Sequence, residues 1–200
     1  MRKKRLIQTI QMNLRGGALS RGRFLREKGI VGEVGEYVQF QPRVIPLYPE
    51  LIHLHNNIMI GAGVRLITHD ATFAVLKRCN RGRKYPEKVG CIEIMDNVFI
   101  GANAIILPNI RIGENVIVGA GAVVSRDLAP DGVYVGVPAK RICSFHEFCK
   151  RLDSETDTGG IPIPSSGVTD RSRRRKWNEP GRSSWKSAQD NRTRHPARAA

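Results

Sequence analysis

The chain has 200 residues, 40% of them apolar but only 6% aromatic, and 33 Lys and Arg against 18 Asp and Glu give a formal charge of +15. That length suits one domain with tails, and no apolar run approaches bilayer-spanning length. The four cysteines (Cys79, Cys91, Cys143, Cys149) show no CxxC and no ligand-like pairing with histidine, which reads as reduced thiols of a cytoplasmic protein.

Residues 1–30 carry Arg2, Lys3, Lys4, Arg5, Arg15, Arg21, Arg23, Arg26 and Lys28 against one acid, Glu27. The spacing predicts a basic helical segment over 3–28, with Leu6, Ile7, Ile10 and Leu14 roughly on one side. That apolar face is short, so membrane contact is not expected. The opening MRKKRLIQTIQMNL has a basic head but no continuous apolar core and no cleavage site, so a secretory signal is not expected either.

A period of six then takes over. The blocks VGEYVQ and FQPRVI begin at Val34 and Phe40, and the register shifts by two residues across Pro46–Pro49. It resumes with LHNNIM, IGAGVR and LITHDA from Leu54, Ile60 and Leu66. Between 72 and 90 the periodicity stops, and a basic stretch predicts a loop pushed out directly after a histidine. Long excursions from a compact repeat are more often functional than decorative.

From Ile94 the period is strict: IMDNVF, IGANAI, ILPNIR, IGENVI, VGAGAV, VSRDLA. Every first position is β-branched (Ile94, Ile100, Ile106, Ile112, Val118, Val124) and every fifth is aliphatic (Val98, Ala104, Ile110, Val116, Ala122, Leu128). The fifth residue of one block and the first of the next are two apart, so on a strand they share a face. Gly101, Gly113 and Gly119 follow the first position, where a corner favours a residue without Cβ. Such blocks wind into a parallel β-helix around a narrow aliphatic prism. The scarcity of aromatics follows, because the prism has no room for them. After it, the run KRICSFHEFCKRL predicts a short closing helix over 143–152. Residues 153–200, rich in Ser, Gly, Pro and Arg, read as a disordered basic tail.

These segments together resemble the hexapeptide-repeat acyltransferases, in particular the maltose, galactoside and nodulation O-acetyltransferase branch. The match is carried by LITHD before the loop, by DNVFIGANAIILPNIRIGENVIVGAGAVVSRD, and by VYVGVPAKRI, which is similar to a closing Gly-x-Pro-Ala-Lys/Arg segment. The resemblance implies an all-β fold, a left-handed parallel β-helix over 31–142, a homotrimer, and active sites between neighbouring subunits. It also implies acetyl-CoA as co-substrate and a saccharide hydroxyl as acceptor.

Acyl transfer to a hydroxyl needs a base, donors for the tetrahedral oxyanion, and both substrates in line. His69 matches the family's catalytic histidine, and an imidazole titrating near neutrality suits a general base. By resemblance, the backbone at Ala102 and Ala120 meets the coenzyme's pantetheine arm, and Ser125, Arg126 and Lys140 meet its phosphates. At position 102 many relatives carry a hydroxyl; this chain offers only the backbone N–H. Gln41 and Glu50 are the nearest counterparts of the residues that hold the acceptor. No partner histidine activates Cys79 or Cys91, so direct attack with both substrates bound is expected. His53 and His55 alternate in LIHLHNN without a third ligand at suitable spacing, so no metal is expected. The tail's RSRRRKW, with Trp177 and Trp185, predicts at most non-specific attraction to nucleic acid. The competing expectation is a non-catalytic scaffold or binding protein on the same repeat.

Overall fold

The computed structural model describes residues 2–79 and 82–157. Residues 1–154 form one compact unit. Of the second unit, from Glu155 on, only the end of a helix is described; the tail expected from 158 to 200 lies outside the described residues.

The core is a three-faced parallel β-helix. One face stacks Glu33–Val34, Ile52–Leu54, Ile92–Ile94 and Ile110–Ile112. The second stacks Gln39–Phe40, Ile58–Ile60, Val98–Ile100, Val116–Val118 and Gly132–Val135, and the third stacks Arg65–Leu66, Ile105–Ile106 and Val123–Val124. Ile92 pairs with Ile110 and Val98 with Val116, so each coil consumes three hexapeptides. All six first-position residues from Ile94 to Val124 are fully buried, and the fifth positions from Val98 to Leu128 line the same interior. Burying one such aliphatic side chain stabilises the fold by about 1.5–3 kcal/mol.

The corners obey two separate constraints. The second-position glycines have no space for a Cβ: on Gly101 it would lie 2.8 Å from Ala120 Cα, and on Gly113 2.6 Å from Pro130 N. The fourth position turns the chain through left-handed backbone, supplied by Asn57, Asn97, Asn103, Asn109 and Asn115 at φ 53–60°. Asn enters that region more readily than other residues with a Cβ. Three of these also form a ladder up one corner, Asn57 Nδ2 donating to Asn97 Oδ1 (2.9 Å), and Asn97 Nδ2 to Asn115 Oδ1 (3.0 Å). Asn115 Nδ2 ends it on Asp131 Oδ1 (2.9 Å).

Several elements differ from the sequence expectation. The basic N-terminal segment is two helices, α1 (Arg2–Asn13) and α2 (Ala18–Glu27), interrupted at Gly16 and Gly17. Helix α2 lies on the first coil, burying Phe24 and Leu25 in the prism core. Gly22 faces the Val38 carbonyl with no room for a Cβ, and the buried Arg21 donates from Nε to Phe40 O at 2.8 Å. In FQPRVI the fifth position, Val44, is exposed, and Ile45 is buried instead. The reason is the two-residue insertion: Gln39 pairs with Met59, 20 residues on rather than 18, and a 3-10 turn at Pro49–Leu51 absorbs the excess.

The excursion at 72–90 is not all loop. It opens with helix α3 (Thr72–Cys79), and its returning strand Lys88–Val89 pairs antiparallel with His69–Asp70. At the other end, Lys140–Ser144 is not helical. It pairs antiparallel with Gly132–Val135 and closes the second face, and the helix (α4, Phe145–Asp157) begins only at Phe145. A reciprocal cap explains that start. Glu147 N–H donates to Ser144 Oγ (3.1 Å), while Ser144 N–H donates to Glu147 Oε2 (2.7 Å). The Ser144 N–H first, then the Ser144 hydroxyl donating to the same Glu147 Oε2 (2.8 Å), hold the Glu147 carboxyl below its ordinary pKa. Among the described residues no helix is long and apolar enough to cross a membrane.

Three outcomes follow from this packing and capping. Gly101→Ala forces adjacent coils apart and lowers stability by about 1–3 kcal/mol in urea unfolding. Gly16→Ala, with nothing within 4 Å of the new Cβ, stays within about 0.5 kcal/mol. Ser144→Ala removes the cap and costs about 1 kcal/mol, read as faster amide exchange in the first turn of α4.

Candidate active site

The third face organises the candidate residues. Its strands run between two corners, and the sequence places different chemistry at each. At the leading corner Ala102 and Ala120 stack on successive coils, joined by Gly121 N–H donating to Ala102 O at 2.8 Å. Both are exposed, and the N–H of each has no acceptor among the described residues. Ala102 and Ala120 thus present a track of methyl groups and, among the described residues, unpaired N–H donors at this corner. Ala62 continues it one coil earlier, Asn103 N–H donating to Ala62 O at 2.9 Å.

At the trailing corner the chain leaves the prism through Thr68 and His69. Gly90 N–H donates to Thr68 O (2.8 Å), so the excursion returns beside the point where it departs. His69 pairs with Val89, which fixes its backbone, and its half-buried ring meets Tyr48 edge to face, with centroids 6.0 Å apart. Asp70 does not orient the imidazole. Its carboxylate accepts from the Thr72 hydroxyl and from Thr72 N–H (2.8 Å), an Asx turn that starts α3. The hydroxyl bond first, then the amide bond, lowers the Asp70 pKa.

Tyr48 went unnoticed in the sequence, as did what holds it. It sits in left-handed backbone, φ 49°, unusual for an aromatic residue and a form of strain concentrated at functional sites. Its hydroxyl lies 3.2 Å from Glu87 Oε2, on the returning side of the excursion. Loss of water around the ring first, then the Glu87 and Glu50 carboxylates, raises its pKa. The preceding carbonyl, Leu47 O, accepts from the Thr68 hydroxyl. The two-residue insertion is therefore stitched to the histidine strand at two consecutive residues. The register offset across Pro46–Pro49 was the one signal marking this spot.

The other sequence candidates fall into two groups. Ser125 and Arg126 leave the last third-face strand, and the closing segment lies along that strand: Val123 N–H donates to Gly136 O (3.1 Å) and Ala139 N–H to Val123 O (2.8 Å). That brings the exposed Lys140 to the same final coil. Glu50, in the 3-10 turn, lies at the trailing corner with Tyr48 and His69, whereas Gln41 sits at the leading corner, donating from its N–H to Ile60 O (3.0 Å). The two acceptor candidates are not neighbours.

His53 and His55 are accounted for by carboxylates on adjoining strands. His53 Nδ1 lies 3.8 Å from Glu33 Oε2 and His55 Nε2 lies 3.2 Å from Glu93 Oε1, while Glu93 also meets Arg111 Nε at 3.3 Å. Among the described residues no group of three or more His, Cys, Asp and Glu is arranged to hold a metal ion, and all four cysteines are free.

Comparison with known proteins places this geometry. The family description "Bacterial transferase hexapeptide (six repeats)" matches residues 92–126. The "Putative acetyltransferase YvoF" of Bacillus subtilis is 32% identical over 137 residues, 67% of this chain and 70% of that protein. A protein of the same description from Schizosaccharomyces pombe is 43% identical over 94 residues, but the match spans only 46% of this chain and 42% of that one. Among solved structures, a galactoside acetyltransferase in complex with coenzyme A superimposes with a TM-score of 0.56 at 25% identity, covering 74% of this chain and 84% of the other. The chain belongs to the hexapeptide-repeat acyltransferase family.

Proposed function

We propose that this protein moves the acetyl group of acetyl-CoA onto a saccharide hydroxyl, with His69 as general base. The observation that carries the reading is the third face itself: a histidine at one corner, and free backbone donors beside small alanine side chains at the other. The chemistry is a direct exchange. The acceptor oxygen attacks the thioester carbonyl, the new C–O bond forms, and the C–S bond breaks. His69 takes the hydroxyl proton and returns it to the departing sulfur, so coenzyme A leaves as the free thiol. No charge is left behind on the enzyme, and no covalent enzyme intermediate is needed.

The track fits the coenzyme. An extended pantetheine arm needs close approach to backbone amides, and Ala102 and Ala120 permit it. The N–H groups there are the donors for the oxyanion, a role that preorganised backbone amides fill well. Ser125, Arg126 and Lys140 at the final coil meet the phosphates through charge-assisted hydrogen bonds. The galactoside acetyltransferase that shares the fold, solved with coenzyme A, supports both the co-substrate and the saccharide class.

One chain does not complete the site, because base and track occupy opposite corners of the same face. A second copy alongside the first brings its track toward the histidine of its neighbour, and a homotrimer of left-handed β-helices supplies that arrangement. Outward-facing Met59, Phe99 and Ile117, in register across the second face, offer apolar contact for such packing. Polar side chains fill the corresponding rungs of the first face: Glu33, His53, Glu93 and Arg111.

The test is thiol release from acetyl-CoA against a saccharide panel. His69→Ala is expected to lower acceptor-dependent release by about 10²–10⁴ while coenzyme A affinity holds in a parallel titration. Initial rates are expected to give intersecting double-reciprocal lines; parallel lines would show a covalent intermediate and overturn direct attack. If coenzyme A does not bind, the scaffold reading replaces this one.

A further inference from the structure

Between α1 and the inserted turn lies a cavity of about 450 Å³, lined among others by Lys4, Arg5, Gln8, Ile30, Tyr48 and Glu50. Its volume falls within the range of small-molecule sites. Its inner wall is apolar, and Ile30 belongs to the buried core. Tyr48 both lines it and meets the His69 imidazole in a T-shaped contact, centroids 6.0 Å apart. Any ligand filling the cavity therefore touches a residue in contact with the proposed base. Leu47, also in the wall, is tied to Thr68, the residue before His69.

The charges facing this space are unbalanced, with two cations and one carboxylate. Lys4 and Arg5 also stand at the wrong end of their helix. They occupy the opening turns of α1, where no acidic residue offsets them and where the helix dipole disfavours positive charge. Neither is engaged by a carboxylate among the described residues. Helix stability does not call for them there; an anion in the cavity does.

We infer that this cavity receives the acceptor, and that Lys4 and Arg5 select one bearing a negative charge, a sugar phosphate or a sugar carboxylate. The assignment rests on the acyl-transfer reading only for the word acceptor. The anion pairs with the two cations, Glu50 accepts from sugar hydroxyls, and the ring packs against Tyr48 and the apolar wall. Lys4 and Arg5 determine specificity and take no part in the proton transfer.

The experiment is a calorimetric titration of the full chain, saturated with coenzyme A, using matched sets: glucose, galactose and N-acetylglucosamine, the two uronic acids, and the three 1-phosphates. At least one charged sugar is expected to bind tenfold or more tightly than its neutral parent. The double variant Lys4→Gln/Arg5→Gln removes that difference without changing coenzyme A affinity, and Lys4→Arg retains it. Preference for the phosphates alone, or for the uronic acids alone, names the charged group and supports the assignment. Equal affinity within every set, no binding by any charged sugar, or a preference that survives the double variant overturns it. Thiol release measured on the same samples separates the two readings. Charge-dependent binding without acetyl transfer leaves the cavity assignment standing and removes the transferase, whereas transfer to neutral sugars alone does the reverse.

Discussion

Each coil of this protein rests on the one below through backbone hydrogen bonds, as in Gly61 N–H to Ile100 O and Gly101 N–H to Val118 O, both 2.8 Å. That spacing is a property of the peptide group, about 4.7–4.9 Å between strands, and side chains cannot negotiate it. At a corner, where the chain turns instead of running straight, the next coil's backbone arrives where a Cβ would stand. Gly61, Gly101 and Gly113 are therefore fixed by distance, and the asparagines by backbone sign. One position on, Ala102 and Ala120 are exposed and the stacking distance does not limit side-chain size, since the equivalent positions of other blocks hold Asp96, Pro108 and Glu114.

A structure governed by one repeating distance is readable where the repeat is uninterrupted. From Ile94 to Leu128 the sequence period and the buried positions coincide residue by residue, because interior width dictates side-chain size at each rung. Legibility falls wherever a tertiary partner overrides the local pattern. Lys140–Ser144 has the composition of a helix start, but the exposed edge of Gly132–Val135 captures it as a strand. Ser144 and Glu147 carry a capping signature that places the helix start correctly, and it is visible in the sequence. Thr72–Cys79 is too short for its periodicity to stand out; its start is set by the Asp70 turn and not by an apolar face. Pattern marks the neighbourhood of Tyr48 by the register offset across Pro46–Pro49, but not the residue itself. Its importance lies in a contact with a residue 21 positions away, created by a two-residue slip in register.

His69 was legible for a different reason: a histidine at the edge of a break in a strict repeat is conspicuous whatever the break contains. What the sequence could not convey was the arrangement around it. Asp70, its immediate neighbour, is occupied with the helix turn, while Leu47 and Tyr48, remote in sequence, form the surroundings. His69 is placed by its paired backbone and by the Tyr48 ring, whereas Asp70 hydrogen-bonds to Thr72.

Helix α1 is oriented against the usual logic of an amphipathic helix. Lys4, Arg5 and Gln8 line the cavity beside the prism, while Leu6, Ile7, Ile10 and Leu14 point outward with 53–80% of their surface exposed. Burial of an apolar stripe therefore does not hold it in place. It is anchored at its far end, where Met12 enters the core and Asn13 Nδ2 donates to Arg43 O (2.8 Å) and Thr9 O (2.9 Å). Such an attachment, fixed at the C-terminal turn and lightly held elsewhere, puts the basic turn over the cavity without sealing it. The cations can then adjust to a ligand without disturbing the stack of coils. The division of labour is physical: the prism gives His69 a fixed position, and α1, outside the repeat, carries charges that can adjust.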